Sequence, residues 1–207
     1  MLCQLRRDAR AWCAGRLWQV RIPVLLYLVG VWLAYARDPR HQSIFSGINL
    51  GIHELGHVVF GPWNDVLAAL GGSLLQCTAP LIAAVLFLRQ RDYFAIAFAL
   101  TWFGTNLFEV AAYAGDAVAM TLPLVTPGGG EPIHDWNYAL ATLGWLRHTQ
   151  TIAAIHRGSA HLAMAVGLAF GGWLVTQMMF APRPATSSLP KSADLPEGPP
   201  HTPAPRR

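Results

Sequence analysis

Residues 49 to 57, NLGIHELGH, place two histidines and a glutamate inside an apolar run. His53 and His57 are four apart, so on a helix they share one face about 6 Å apart along the axis and can bind one metal ion. Glu54 is turned by about 100° from His53, so it can reach a metal-bound water without itself being a ligand. Zinc would lower the pKa of that water toward 7, and the glutamate would take its proton to deliver hydroxide to a carbonyl. Ser46 and Asn49 extend the same face. Gly47 and Gly51 form a small-xxx-small pair that would let another helix approach. Ionisable groups in an apolar helix are by default a functional-site hypothesis. The competing reading is a pair of histidines that hydrogen-bond across a helix bundle with no metal.

These residues carry a resemblance. His53-Glu54-Leu55-Gly56-His57, followed more loosely by the Gly71-Gly72 region, resembles the site-2 protease group of intramembrane zinc metallopeptidases, in particular its smaller members without a PDZ domain. The resemblance implies Zn2+ as cofactor, His53 and His57 as ligands, and Glu54 as the catalytic base. It implies a third ligand from an aspartate on a later membrane helix, in an Asn-Pro-x-x-Asp-Gly-like setting. No such string occurs, and Asp116 in YAGDA is the nearest counterpart.

The run that carries Asp116 has its own pattern. Asn106, Glu109, Tyr113 and Asp116 recur at intervals of three, four and three, which makes one polar stripe on a helix facing a bundle interior. Glu109 and Asp116 would lie about 10 Å apart along the axis, too far for one zinc to bind both. Asp116 is favoured as third ligand, with Glu109 as the alternative on this helix or otherwise in the outer shell or as a proton relay. After a glycine-rich loop comes His134-Asp135-Trp136. His134 could be a third or fourth ligand, and Asp135 could ligate or orient an imidazole; alternatively Asp135 is only the N-cap of the next helix and Trp136 an interface anchor. Gly71, Gly72, Ser73 and Gln76 are small or polar where leucine would be expected, so Gln76, with Asn49, Asn106 and Tyr113, is expected beside the site or along its cleft.

The elements that must hold these groups are apolar runs: Ile22 to Ala36, Ile44 to Phe60, Val66 to Leu88, Tyr93 to about Met120, and His161 to Phe180. The expected fold is an all-α, polytopic membrane protein of five spanning helices, with residues 136 to 158 as an interfacial helix or, alternatively, a sixth span. Arg147 and His148 at the middle of that piece disfavour the second reading. Residues 1 to 21 form a basic segment expected in the cytoplasm by the positive-inside rule, residues 22 to 180 the membrane domain, and residues 181 to 207, with eight prolines, a disordered tail. Ala34-Tyr35-Ala36 has the form of a signal-peptidase site, but further apolar runs follow and a retained first helix is expected. Alternating five spans puts Arg89 and Arg91 outside and the His57 and HDW ends at the cytoplasmic face, against the charge rule at that turn.

Composition agrees with a bilayer environment. Hydrophobic residues make up 53% and charged residues 13% of the chain, against roughly 25% charged in soluble domains. The net charge of +4 is spread over chain ends and links and forms no aromatic-laced basic face, so no nucleic-acid partner is expected. Cys3, Cys13 and Cys77 form no CxxC pair. Membrane lipids and a membrane-protein substrate are the expected partners, with another protein supplying recognition because no soluble recognition domain is visible. The excess of arginine over lysine suits a GC-rich bacterial genome and an inner membrane. The expected function is a zinc metallopeptidase. The alternatives are a metallohydrolase for a lipid ester or amide, a haem or metal carrier using His57 and His161, and a scaffold with an inactive site.

Overall fold

The computed structural model describes residues 2–124 and 133–181; the expected tail lies outside the described residues, as does most of the glycine-rich loop. The described chain is all-helical: α1 (Leu2–Cys13), α2 (Ile22–Arg37), α3 (Ser46–Phe60), α4 (Asp65–Arg89), α5 (Tyr93–Gly115), α6 (Asp135–Thr142) and α7 (Thr149–Phe180), with a 3₁₀ turn at Leu146–His148 before α7.

Helix starts follow local chemistry. The Asn64 side chain accepts from the Leu67 N–H to cap α4, and Asp92 accepts from the Ala95 N–H to cap α5. The second cap sits in the polar turn expected between the third and fourth apolar runs. Pro23 lies in the first turn of α2, where its missing N–H costs nothing. The cap of α6 is His134, whose Nδ1 accepts from the Asn137 N–H. Asp135, expected as that cap, is instead the first helical residue, which frees its carboxylate.

Among the described residues, three helices are long and apolar enough to cross a membrane: α4, α5, and α7 with its preceding turn; α2 is a shorter apolar helix. This is fewer than the five expected. The shortfall lies at α2 and α3, whose 16 and 15 residues reach only about 24 and 22 Å at 1.5 Å per residue, short of about 30 Å of hydrocarbon. The expected interfacial stretch 136 to 158 is divided. Arg147 and His148 fall in the 3₁₀ turn, and α7 already begins at Thr149. The basic N-terminal segment, expected only as a charged flank, contains α1, which buries Ala9 and Cys13 against Tyr93, Leu174 and Met178.

Close helix approach is bought by small residues, as expected where lipid offers no hydrophobic incentive for helices to pair. A Cβ added at Gly104 would meet Met164 Cγ at 2.6 Å, and one at Gly167 would meet the Ala97 carbonyl oxygen at 2.9 Å, so α5 and α7 lie in close contact. Gly56 of α3 abuts the backbone of Gly71 and Gly72 of α4. The pair expected to serve this purpose, Gly47 and Gly51, has nothing within 4 Å of an added Cβ.

Candidate metal centre

α3 and α4 cross at these glycines, and the crossing brings both histidines over Gly72. A Cβ there would lie 2.5 Å from His53 Nε2 and 2.7 Å from His57 Nε2, so the two imidazole edges occupy the room a side chain would need. The ring centroids are 4.8 Å apart. Each ring is held by its other nitrogen: Nδ1–H of His57 donates to the Ala68 carbonyl oxygen at 2.8 Å, and Nδ1–H of His53 donates to Gln76 Oε1 at 3.0 Å.

The donor assignment at His53 follows from a chain of contacts. The indole N–H of Trp102 can only donate, and it does so to Asn49 Oδ1 at 2.7 Å. Asn49 must then turn its NH₂ to Glu109 Oε2, 2.8 Å away. Gln76 donates its NH₂ to the same oxygen at 2.9 Å, so its carbonyl faces His53. Tyr35 and Ser46 donate to the other oxygen, Oε1, at 2.9 and 2.8 Å. Four donors converge on Glu109, and the His53 tautomer is set at the end of the chain.

The third member is Asp135. Its Oδ2 lies 3.4 Å from His53 Nε2 and 3.3 Å from His57 Nε2. One ligand atom from each of these three residues falls within 4.8 Å of the others. Tyr113 donates to the same oxygen at 2.9 Å and its hydroxyl accepts from the Asp135 N–H at 3.1 Å. Trp136 Nε1–H donates to Ser73 Oγ, and the Asn137 side chain donates to the Ala117 carbonyl oxygen, so α6 is fastened to α4 and to the end of α5. Burial opposes ionisation of Asp135, but contacts to His53, His57 and Tyr113 outweigh it and hold the carboxyl below the usual carboxylate range.

These three residues are placed so that they could hold a metal ion. With both Nδ1 atoms engaged, each Nε2 faces the anionic Asp135 oxygen, and either a proton on the imidazole or a metal ion between them balances that charge. Two ligands about 2.0–2.1 Å from a tetrahedral zinc lie about 3.3 Å from each other, which is the separation of Asp135 from each histidine. Engagement of the second imidazole nitrogen by a carbonyl is the usual outer-shell device that orients a ligating ring. Glu54 lines the same cavity of about 550 Å³ as the three residues.

Comparison with protein-family models, curated proteins and solved structures finds no match.

The other expected residues are placed as follows. Asp116 is not at the histidine cluster. It accepts from the Thr121 N–H and hydroxyl and from the Leu122 N–H, and its Oδ2 is 3.5 Å from His134 Nε2. These contacts tie down the chain after α5; the sequence pointed to Asp116 through the resemblance, whereas Asp135 is the carboxylate that faces the histidines. Burial again opposes ionisation, while the Leu122 and Thr121 donors and His134 lower the Asp116 pKa from its ordinary value. His134 caps α6 and pairs with Asp116. Asn106 is fully buried and donates to the Trp102 carbonyl oxygen, away from the cluster. His161 accepts from Trp32 and packs on Phe108, outside the cluster, so it is not brought to His57. Tyr35, which donates to Glu109, gave no signal in sequence because only the folded bundle brings it there.

Proposed function

We propose that the chain is a membrane-embedded zinc metallopeptidase that hydrolyses a peptide bond of a membrane protein, with His53, His57 and Asp135 as ligands and Glu54 as general base. The observation that carries this reading is the convergence of two imidazole Nε2 atoms and one carboxylate oxygen close to Gly72, in a cavity that Glu54 also lines. Asp135 takes the third-ligand place that the site-2 protease group fills from a later membrane helix.

Zinc, when bound, supplies Lewis acidity and brings the pKa of a coordinated water toward 7. Glu54 accepts the proton of the attacking water and returns it to the leaving amine nitrogen, as a general base and then a general acid. Tyr113 holds the Asp135 carboxylate in place by its 2.9 Å hydrogen bond. Gln76 and Ala68 hold the two imidazoles. Leu50, Val110 and Leu122 give the cavity apolar walls suited to the side chains of a membrane segment. A bacterial inner membrane and a partner protein that selects the substrate complete the proposal.

The test is zinc content in detergent-purified protein, followed by hydrolysis of membrane-protein substrates. About one zinc per chain is expected in wild type, lost in His57→Ala and Asp135→Ala and kept in Asp116→Ala. Glu54→Gln should keep the metal and abolish cleavage. A well-folded wild type that takes up no zinc after reconstitution would end the reading.

A further inference from the structure

The directions of the helices decide which way the site faces. α2 runs alongside α5 in the same sense: Arg21, just before it, lies over Phe94, and Tyr35 near its end stacks on Phe108. α3 also runs with α5, because Phe45 meets Phe98, Asn49 meets Trp102 and His53 meets Tyr113. Two consecutive helices therefore point the same way. The link between them starts at the α5 C-terminal end, where His41 packs on Tyr35 and Arg40 donates to Thr121, and turns back into the bundle, where Phe45 reaches Phe98. α3 thus starts within the bundle and rises to the end that α2 has already reached. α4 and α7 run the opposite way, with Gln76 beside Glu109 ahead of the turn to Tyr93, and Gln150 at Gly115 while Leu174 and Met178 reach Tyr93.

The bundle consequently has two distinct ends. One carries α1, the α4–α5 turn and the C-terminus of α7, with Arg6, Arg7, Arg10, Arg16 and Arg21 joined by Arg89 and Arg91. The other carries the candidate metal centre, with four arginines, Arg37, Arg40, Arg147 and Arg157, against seven at the first end. Arginine beside spanning segments is retained in the cytoplasm. The conflict at Arg89 and Arg91 that five alternating spans create disappears.

We infer that α2, α4, α5 and α7 are the crossings, that α3 does not cross, and that the His53–His57–Asp135 centre opens to the extracytoplasmic side. α2 is short for a crossing, and the bilayer adjusts to such a helix at modest cost. Resting on the metallopeptidase reading, this names the substrate class: a membrane protein whose scissile bond lies at the outer boundary of the bilayer. The cavity lining agrees, since Arg40, His41, Leu122 and Ile133, which lie toward that end, are part of it.

The experiment labels full-length protein in spheroplasts with a membrane-impermeant maleimide before and after lysis. Three reporters are used one at a time: native Cys3, Gln90→Cys in the α4–α5 turn, and Trp145→Cys before α7, the last two with Cys3 replaced by serine. Cys3 and Gln90→Cys should react only after lysis and Trp145→Cys in intact spheroplasts. Cys3 protected with Gln90→Cys exposed and Trp145→Cys protected would mean that α3 crosses, overturning the inference. Cys3 exposed would mean an inverted bundle and overturn it equally. Leu143→Cys substitutes if the tryptophan change impairs folding. The same pattern is expected in His57→Ala, so a failure of sidedness is separable from a failure to bind zinc.

Discussion

At the residue scale the centre depends on what is missing as much as on what is present. The two Nε2 atoms fill the space above Gly72, so Gly72→Ala should abolish zinc binding while leaving the helix content unchanged by circular dichroism. Gln76 acts through His53 and not on substrate. Replacing it with leucine should weaken zinc about 10–100-fold, the usual cost of losing an outer-shell partner, read by chelator competition. Asp116 has a pKa below its ordinary value because of the Leu122, Thr121 and His134 contacts that overcome its burial. Its contribution to stability is therefore full above the unfolded value of about 3.9 and is lost as pH falls through the lower folded value. Melting temperatures of wild type and Asp116→Asn in detergent should differ near neutrality and converge on acidification. A constant difference would show that the carboxylate's charge has no part in it.

At the element scale, glycine position separates packing from propensity. Gly167→Val should destabilise by about 1–3 kcal/mol through overpacking, because Thr101 and the Ala97 carbonyl occupy the space. Gly51→Ala meets nothing within 4 Å and should be neutral or stabilising by about 0.5–1 kcal/mol, the helix cost of glycine. Denaturation in mixed micelles would rank them, and equal effects would refute the assigned contacts. The sequence showed that the HELGH segment and the Gly71-Gly72 region contain small residues. It did not show that Gly56, within the motif itself, is the one that meets α4. Spacing of small residues marks several faces of a helix, and only the crossing selects one.

At the scale of the whole molecule, the three residues that could hold a metal come from α3 and α6, whose sequence separation closes a long loop, and the groups that hydrogen-bond them come from α4 and α5. Zinc should therefore stabilise the bundle as any ligand specific to the native state does, by about 4 kcal/mol at a thousandfold excess over its dissociation constant. Adding a chelator should lower the melting temperature of wild type and leave that of His57→Ala unmoved. An equal response in both would place the stabilising metal elsewhere.

The sequence alone determined the helical class, four of the five apolar segments to within a few residues at most termini, and the His53, Glu54 and His57 constellation, because these depend on composition and on spacing along one helix. It also marked Glu109, Gln76 and Tyr113 as polar groups out of place in apolar runs. Tertiary structure decided which aspartate faces the histidines. Asp116 and Asp135 both lie beyond α5 and are equivalent as letters, yet one is taken by Thr121, Leu122 and His134, and the other is swung onto α3 by the docking of Trp136 and Asn137. It decided as well that α2 and α3 are parallel. Hydropathy counts apolar length and carries no direction, whereas direction is fixed by side-chain contacts between distant residues such as Tyr35 with Phe108 and Asn49 with Trp102.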